Sequence, residues 1–265
     1  MNILELKKMK QAQQKISMVT CYDYWSAKII AQTQINCALV GDSLAMVMHG
    51  YATTIPATNE MMALHVAAVA RGAPNKLIIG DMPFLSYCKG LAETMRVVAQ
   101  IMQAGAHAIK LEGVTGHEDI IQSIINSGVP VMGHIGLTPQ SVHQLGGFKV
   151  QGKTQASMDL LLAQAKTLED LGCFAVVLEC VPTELAELIT QTIAIPTIGI
   201  GAGPKVDGQV LVLQDLLGVN TELKPKFLKT YLNGYEIVKA ALDTFDREVK
   251  TAQFPTEEHS YKSGV

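Results

Sequence analysis

Acidic residues follow short apolar segments at four places in this 265-residue sequence. They are Asp42, Asp81, Glu112 and Glu179, and each lies at the end of a run rich in Val, Ile, Leu or Ala. A buried strand excludes water, so a carboxylate at its end is unfavourable unless a metal ion, a cation or a catalytic task compensates for the charge. One such acid could cap a helix, but four of them indicate the rim of an active site.

Three of these acids could bind a metal ion together. If their strands are neighbours, about 4.8 Å apart, Asp42, Asp81 and Glu112 form an arc at one side of a barrel mouth. Three ionised carboxylates at that spacing repel one another unless a cation lies between them. Oxygen ligands without a histidine cluster favour Mg²⁺ or Mn²⁺. The alternative is that each acid caps the helix that follows its strand.

Glu179 and Lys110 are the candidates for catalysis. Glu179 ends a strand that faces the arc across a closed barrel, where a carboxylate could remove a proton from a metal-bound substrate; alternatively it pairs with Lys110. Lys110 lies two residues before Glu112 and therefore shares its face of the strand. A Schiff-base role needs a neutral amine, whereas the nearby acids favour the ammonium form, so we expect a fixed cation that binds a substrate oxygen.

Two further polar residues follow predicted strands. His134 ends the fifth strand and could hydrogen-bond to substrate or to a loop, although a structural role fits equally well. Ser43 follows Asp42 and offers a hydroxyl and a backbone N–H to a substrate carboxylate. No His–Asp pair is placed to activate a serine, so the sequence does not favour acyl transfer.

Apolar strand-like runs alternate with helical patterns along the chain, which is typical of parallel βα repeats. The predicted strands are Ser17–Tyr22, Cys37–Gly41, Lys76–Gly80, Ala108–Leu111, Val129–His134, Phe174–Leu178, Thr197–Gly201 and Gln209–Leu213. The predicted helices between them are Trp25–Thr33, Asn59–Arg71, Leu91–Gln103, Glu118–Asn126, Met158–Leu171 and Glu184–Thr192. Eight such units predict a (βα)8 TIM barrel with its active site at the C-terminal ends of the strands. A doubly wound open sheet is the alternative.

The ends of the chain predict additions to this barrel. Residues 3–14, within an N-terminal segment 1–15, predict an extra helix that covers the barrel bottom. Lys226–Gln253 predicts a closing pair of helices, followed by a tail at 255–265. No linker or change of composition divides the chain, so we expect one domain over 1–265.

Two connections exceed the usual length of about 2–6 residues for loops in α/β units. Residues 49–58 follow the second strand, and residues 136–157 follow the fifth. Long loops in compact domains are usually functional or disordered. Because both would lie on the active-site face, we expect them to cover the substrate.

Composition excludes several classes of function. The chain is 48% hydrophobic and 17% charged, with a net charge of −3, and it has no basic tract for nucleic acid. No segment approaches the ~18 uninterrupted apolar residues of a membrane span. The charged N-terminus lacks the apolar core of a signal peptide, and the five cysteines form no C-x-x-C pair. These features predict a cytoplasmic protein with reduced cysteines.

Ordered segments from about residue 16 to residue 261 carry a specific resemblance. They are Thr20–Tyr24, Val40–Leu44, His65–Pro74, Asp81–Phe84, Ile109–Gly113, Gly133–Ser141, Lys149–Gly152, Leu178–Pro182, Ile198–Gly203 and Glu257–Ser260. Together these segments resemble the ketopantoate hydroxymethyltransferase family. Two departures, Ala45 after Ser43 and Val114 after Glu112-Gly113, occur where relatives often have glycine, and they affect local loop shape only.

The resemblance implies a barrel of the phosphoenolpyruvate/pyruvate type and a set of site residues. One Mg²⁺ per subunit would bind at Asp42, Asp81 and Glu112. The ketoacid would bind at Asp42, Ser43, Asp81 and Lys110, and the proton acceptor would be Glu179. Members of the family typically assemble as homodecamers made of two stacked pentamers.

The reaction that the resemblance implies is hydroxymethyl transfer from 5,10-methylenetetrahydrofolate to 3-methyl-2-oxobutanoate, giving ketopantoate in pantothenate biosynthesis. In this hypothesis Mg²⁺ chelates the 2-oxo and carboxylate oxygens, and Glu179 removes the C3 proton. Mg²⁺ and Lys110 then stabilise an enolate that attacks the one-carbon unit. The residues alone lead only to metal-assisted enolisation of a small oxoacid, and the folate donor comes from the resemblance.

Two rival functions share parts of this pattern. Lyases of the isocitrate lyase and phosphonopyruvate group use a similar barrel and metal, but they usually carry a K-K-C-G-H-like loop that this sequence lacks. A non-catalytic barrel that only binds an oxoacid or phosphate would not need Lys110 and Glu179 together with three metal-binding acids.

Overall fold

The computed structural model describes residues 1–221 and 225–263. The chain divides into two compact units, Met1–Leu213 and Gln214–Val265. The first unit contains all of the strands, and the second contains a long helix. Our expectation of one domain over 1–265 stays a prediction.

Eight parallel strands close into a barrel in which each strand pairs with its neighbour in sequence and the eighth pairs with the first. The strands are β1 (Ile16–Thr20), β2 (Cys37–Val40), β3 (Leu77–Asp81), β4 (Ala108–Glu112), β5 (Val131–Gly136), β6 (Ala175–Glu179), β7 (Thr197–Ile200) and β8 (Gly208–Leu211). All eight predicted strands are confirmed to within two residues at each end. The closed barrel excludes the open doubly wound sheet.

Alternation along each strand separates the barrel interior from the helix layer. On β3, Leu77 and Ile79 lie in the buried lower cluster of the barrel, and Asp81 continues the same face upward. On β4, Ala108 belongs to that cluster and lies below Lys110 and Glu112. Apolar layers therefore fill the lower barrel, and the charged residues lie at its C-terminal end.

The predicted N-terminal helix is confirmed as α1 (Ile3–Gln11), which is shorter than the predicted 3–14. Asn2 accepts hydrogen bonds from the first turn, and Glu5 accepts one from the Asn2 backbone, so a capping box starts the helix. The helix ends before Gln13, which adopts a positive φ of 56°. Leu6 is fully buried in the lower cluster. This helix therefore covers the bottom of the barrel, as expected.

The helices around the barrel confirm the six that the sequence predicts, to within three residues at each end. They are α2 (Tyr24–Ala31), α4 (Asn59–Gly72), α5 (Leu91–Gln103), α6 (Glu118–Asn126), α8 (Gln155–Asp170) and α9 (Thr183–Thr192). Asp23, Thr58 and Thr154 accept hydrogen bonds from the first turns of α2, α4 and α8. These caps satisfy backbone N–H groups that have no partner inside the helix.

Within the described residues before position 217, four one-turn helices were not predicted, because a single turn leaves no periodic pattern in the sequence. They are α3 (Leu44–Val47), the 3-10 helix Pro139–Ser141, α7 (Val142–Leu145) and α10 (Leu213–Leu216). The predicted loop 136–157 is therefore partly helical, and its last residues belong to α8, which begins at Gln155.

The expected pair of helices over Lys226–Gln253 is wrong: within the described residues this range holds one helix, α11 (Gly234–Lys250). Upstream, the Tyr231 N–H donates to the Leu216 carbonyl oxygen at 2.8 Å, so this backbone hydrogen-bonds to a distant segment and not along its own helix. In the expected tail 255–265, Glu257–His259 forms a 3-10 turn, and positions 264 and 265 lie outside the described residues. None of the helices that the structure describes has the length and apolar character needed to cross a bilayer.

Candidate active site

A cavity of about 170 Å³ lies at the C-terminal end of the barrel. The polar site residues predicted from the sequence all line it: Asp42, Ser43, Asp81, Lys110, Glu112, His134 and Glu179. The rest of its wall is mainly apolar and includes Leu39, Met46, Val177, Ile200, Val210 and Val212. The fold therefore brings residues from five βα units to one small pocket with a charged side and an apolar side.

Strand register explains why the charged residues are neighbours. Asp81 pairs with Lys110 across β3 and β4, and Glu112 pairs with His134 across β4 and β5. Asp42 lies two residues beyond the end of β2, and its backbone N–H donates to Asp81 Oδ2 at 3.2 Å. Parallel strands that end level with one another thus place these side chains at one rim.

Lys110 is buried among acids. Its Nζ lies 2.8 Å from Asp81 Oδ1 and 3.9 Å from Glu112 Oε1. Burial by itself lowers the pKa of Lys110, but the negative charges of Asp81, Glu112 and Asp42 outweigh it and hold the pKa above its ordinary value. The side chain is therefore a permanent cation, which agrees with the fixed-cation interpretation and argues against a Schiff-base role.

The acids of the pocket carry more negative charge than Lys110 balances. Burial, reinforced by the charge of Asp81, raises the pKa of Asp42 to about 7, although Lys110 and a hydrogen bond from Gln140 oppose the rise. Burial also raises the pKa of Glu112 well above its ordinary value; Lys110 opposes that rise, and Asp42 and Asp81 add to it. The electrostatics of the site therefore favour one more positive charge.

Gln140 is a site residue that the sequence reasoning missed. Its Nε2 donates to Asp42 Oδ2 at 2.9 Å, and its backbone N–H donates to Glu112 Oε2 at 3.0 Å. Its Oε1 accepts from the Tyr87 hydroxyl at 3.0 Å, which fixes the orientation of the amide. Gln140 therefore holds two acids from different strands. The only sequence signal was an amide within the Gly133–Ser141 segment, because a neutral side chain leaves no charge pattern.

His134 is 3% exposed and presents a donor to the pocket. Lys110 can only donate, so the 3.2 Å hydrogen bond between Lys110 Nζ and His134 Nδ1 makes Nδ1 the acceptor and places the ring proton on Nε2. Burial, reinforced by the charge of Lys110, lowers the pKa of His134 well below its usual range, so the ring is neutral. Nε2 lies 3.2 Å from Glu179 Oε2 but has no hydrogen-bond partner among the described residues.

Glu179 ends β6 with a side chain that is 17% exposed. Burial raises its pKa to about 7, and Lys110 partly opposes the rise. A carboxylate with a pKa near neutrality is suited to accepting a proton from carbon.

Gly136 pairs with Glu179 in the sheet and has a φ of +95°. A Cβ at position 136 would collide with the Glu179 carbonyl oxygen, so this close approach of β5 to β6 requires glycine.

The residues predicted to bind a metal do not form a ready-made cage. Among residues 1–221 and 225–263, no three His, Cys, Asp or Glu side chains are arranged to hold a metal ion. Gln140 bridges Asp42 and Glu112, and Lys110 pairs with Asp81. The donor set is nevertheless rich in buried, poorly neutralised carboxylates, which fits a hard divalent cation by charge and by ligand type. The assignment of a metal to Asp42, Asp81 and Glu112 stays a prediction.

The two long loops both contribute to the pocket. Thr54, in the loop 49–58, is buried, and Phe148, in the range 136–157, is 53% exposed; both line the cavity. The Ser43 hydroxyl lies 2.8 Å from the Tyr22 hydroxyl, which holds Ser43 at the edge of the site. Both loops thus border the cavity, and their role in covering the substrate stays a prediction.

The fold is similar to that of solved barrels. A phosphonopyruvate hydrolase, solved in complex with oxalate and Mg++, matches with a TM-score of 0.64 at 12% identity, over 98% of this chain and 93% of the other. A 2,3-dimethylmalate lyase of the PEP mutase/isocitrate lyase superfamily matches with a TM-score of 0.61 at 14% identity, over 98% and 91% of the two chains. At these identities the likeness supports the fold alone, and it agrees with the (βα)8 barrel that the sequence predicts.

Similarity to curated relatives extends along almost the whole sequence. Proteins named 3-methyl-2-oxobutanoate hydroxymethyltransferase are 62% identical in Coxiella burnetii, over 98% of this chain and 99% of the relative, and 56% identical in Bdellovibrio bacteriovorus, over 98% of both. A Francisella tularensis protein of the same name is 54% identical, also over 98% of both. The family model for ketopantoate hydroxymethyltransferase matches residues 1–257. The chain therefore belongs to the ketopantoate hydroxymethyltransferase family and is an enzyme of that class.

Proposed function

We propose that this chain transfers a hydroxymethyl group from 5,10-methylenetetrahydrofolate to 3-methyl-2-oxobutanoate, giving ketopantoate and tetrahydrofolate in pantothenate biosynthesis. The observation that carries this proposal is that Glu179 and Lys110 line the same small cavity. Burial brings the pKa of Glu179 to about 7, while Lys110 keeps its positive charge. A base and a fixed cation in the same pocket are what proton removal next to a carbonyl group requires.

The shape of the cavity suits a small branched oxoacid. Its charged side offers Lys110, the Ser43 hydroxyl and the His134 Nε2–H to the carboxylate and oxo oxygens. Its apolar side includes Met46 and Val212, which can contact the isopropyl group. A substrate held between these sides would direct its C3 hydrogen towards Glu179.

The proton transfer follows from this arrangement. Ionised Glu179 accepts the C3 proton, and negative charge develops on the 2-oxo oxygen. Lys110 and the Nε2–H of His134 stabilise that charge from fixed positions, so little reorganisation is needed during the reaction. The C3 carbanion then attacks the methylene carbon of the folate, so that the C3–CH2 bond forms as one C–N bond breaks and that nitrogen takes up a proton. Water cleaves the remaining C–N bond, giving its OH to the methylene carbon of ketopantoate and its proton to the nitrogen of tetrahydrofolate.

Asp42, Asp81 and Glu112 would hold one Mg²⁺ per subunit. When bound, a divalent cation acts as a Lewis acid on the 2-oxo group and makes the C3 hydrogen more acidic. Support comes from the raised pKa values of Asp42 and Glu112, since burial disfavours the charged form of both carboxyl groups and a bound cation would favour it. Gln140 would keep two of these acids in place.

The direct test is an assay of the purified protein with 3-methyl-2-oxobutanoate and 5,10-methylenetetrahydrofolate, with Mg²⁺ or with EDTA. We expect ketopantoate, detected by mass spectrometry, with Mg²⁺ only. Absence of ketopantoate with all components present would refute the proposal. Release of pyruvate from phosphonopyruvate would favour the rival lyase function.

We also propose a cytoplasmic homo-oligomer, a decamer of two pentamers. All five cysteines are free, as a reducing compartment requires.

On α2, Trp25 is 64% exposed and Ile29 is 58% exposed, which suits a subunit interface better than contact with water. An exposed apolar stripe with spacings of three and four residues also runs along α11: Tyr235, Val238, Leu242, Phe245 and Val249. Sedimentation analysis of the native protein and of the Leu242→Asp variant measures the oligomeric state and tests this proposal. A wild-type protein that sediments as a monomer would contradict it.

A further inference from the structure

Thr54 has a buried hydroxyl group in the wall of the oxoacid cavity. The residue lies in the loop 49–58, lines the cavity and is 2% exposed. Among the residues that the structure describes, none forms a hydrogen bond with its Oγ1 atom. Native proteins pair most buried polar groups, because an unpaired one lowers stability. An unpaired hydroxyl in the wall of a pocket therefore points to a ligand.

The loop holds the backbone of Thr54 and leaves its hydroxyl unused. Threonine hydroxyls in loops commonly bond to nearby backbone groups, in helix caps or in turns. Thr58 does so, because its Oγ1 accepts a hydrogen bond from the Met61 N–H at 3.2 Å and caps α4. The carbonyl oxygen of Thr54 accepts from the Ala57 N–H at 3.0 Å. The position of Thr54 is thus fixed by its backbone and not by its hydroxyl.

The Thr54 hydroxyl lies on the same side of the cavity as Asp42 and Ser43. Burial raises the pKa of Asp42, and the nearby Thr54 hydroxyl is one of the smaller influences that lower it. The two side chains are therefore close, although they form no regular hydrogen bond. Ser43 follows Asp42 in the chain, and its hydroxyl lies 2.8 Å from that of Tyr22. Thr54 and Ser43 thus both adjoin Asp42, one in space and the other in sequence.

The remaining donors of the cavity lie beside the base. The Nε2 atom of His134 is 3.2 Å from Glu179 Oε2, and its Nδ1 atom accepts from Lys110. His134 and Lys110 are therefore placed to act on the 2-oxo oxygen, next to the carbon that loses its proton. A carboxylate has two oxygens with about four acceptor positions. The carboxylate of the oxoacid needs donors of its own, and the hydroxyls beside Asp42 are available for it.

We propose that the Thr54 hydroxyl donates a hydrogen bond to the carboxylate group of the bound oxoacid, alongside Ser43. This inference rests on the proposed function, because it takes an oxoacid as the ligand. The carboxylate keeps its charge during proton removal, so the contact has similar strength before and during the reaction. Thr54 is then a binding residue, and it connects the loop 49–58 directly to the substrate.

The test compares three variants of the full-length protein. Thr54→Val keeps the shape of the side chain and removes the hydroxyl, whereas Thr54→Ser keeps the hydroxyl. Thr53→Val makes the first change at the preceding half-buried position, which is not among the residues that line the cavity. Three quantities are measured: the Tm of the ligand-free protein, the affinity for 3-methyl-2-oxobutanoate by calorimetry, and the rate of deuterium exchange at C3. Mg²⁺ is present in the binding and exchange measurements.

We expect Thr54→Val to weaken oxoacid binding by about 10–100-fold, which is typical for loss of a hydrogen bond to a charged group. Exchange at saturating oxoacid should stay within about threefold of the wild-type rate, because the contact stabilises the ground state and the transition state alike. The Tm of ligand-free Thr54→Val should not fall, since valine buries no unpaired polar group. Thr54→Ser and Thr53→Val should bind the oxoacid nearly as the wild type does.

Wild-type affinity in Thr54→Val would overturn the inference, as would an equal loss of affinity in Thr54→Ser or Thr53→Val. A lower Tm in ligand-free Thr54→Val would also overturn it, because the hydroxyl would then act within the protein. Slow exchange that persists at saturating oxoacid would place Thr54 at the reacting oxo group and contradict the contact with the carboxylate. A wild-type protein that binds no oxoacid would instead refute the proposed function, so the two failures are distinguishable.

Discussion

The pKa of Glu179 predicts a pH dependence. Burial raises this pKa to about 7, and the base must be ionised to accept a proton. The rate of C3 hydrogen exchange should therefore rise with pH up to about 7 and then level off, because Lys110 stays charged throughout that range. Measuring exchange from roughly pH 5 to 9 checks this. A rate that falls as the pH rises towards 7 would contradict it.

Single residues of the site differ in how far the sequence could predict them. Asp81, Lys110, Glu112 and Glu179 were predictable because charge at the end of an apolar strand is unusual and needs an explanation. Gln140 was not, because its importance comes from where a one-turn helix places a neutral amide. The tautomer of His134 also required the structure, since it follows from the contact with Lys110.

Lys110 should act through its charge and not through a covalent bond. We expect Lys110→Met to lower kcat/KM by about 10²–10³, because it removes a fixed donor to the developing oxyanion. Lys205→Met, which changes an exposed ion pair with Glu187, is the matched control and should have little effect. Borohydride added with substrate should leave the wild-type mass unchanged. A trapped adduct at Lys110 would show a Schiff base.

Among the elements, length decides what a sequence reveals. The strands and the long helices carry periodic patterns and were predicted closely. The one-turn helices around 139–145 were missed because four residues show no period. The segment before α11 was wrongly predicted to be helical. Its Tyr231 N–H donates to the carbonyl oxygen of Leu216, a distant residue, and no local sequence pattern reveals that contact.

The N-terminal helix should contribute to stability through Leu6. Leu6 is fully buried in the lower barrel, whereas Leu4 on the same helix is 65% exposed. Leu6→Ala should lower the free energy of unfolding by about 2–5 kcal/mol, because it leaves a cavity. Leu4→Ala should change it by about 0.5 kcal/mol or less. Urea unfolding measures both, and equal effects would mean that α1 does not close the barrel.

The properties of the whole molecule depend on closure of the barrel. Eight strands in sequential order place acids from distant parts of the chain around one pocket. Strand counting predicted that arrangement. The shape of the pocket could not be predicted, because irregular loops such as 49–58 and 136–157 contribute to its wall.

Burial of Asp42 should make stability depend on pH. Its pKa of about 7 in the folded protein exceeds the ordinary pKa of 3.8 for an aspartate side chain. The folded state thus binds the Asp42 proton more tightly than the unfolded chain does. Protonation of Asp42 therefore stabilises the folded state fully below pH 3.8, and this contribution is lost as the pH rises through about 7. In metal-free buffer at about pH 8, Asp42→Asn should therefore be more stable than wild type by about 1 kcal/mol, or about 2–4 °C in Tm.

This difference should shrink at about pH 5, where Asp42 is largely protonated in the folded state. Mg²⁺ should raise the Tm of the wild type more than that of Asp42→Asn, because ligands that bind the folded state stabilise it. The exposed Asp170→Asn on α8 serves as the control and should behave as wild type. A less stable Asp42→Asn at about pH 8, or equal responses to Mg²⁺, would count against a cation site at Asp42.

The most direct test of the account is hydrogen exchange at C3 of 3-methyl-2-oxobutanoate in deuterated solvent, with Mg²⁺ and without folate. The wild-type enzyme should incorporate deuterium. Glu179→Gln should slow exchange by about 10²–10⁴ while calorimetry still detects oxoacid binding, because the amide cannot accept the proton. Glu187→Gln, on the outer helix α9, should exchange as the wild type does. Exchange at the wild-type rate in Glu179→Gln would show that another group is the base.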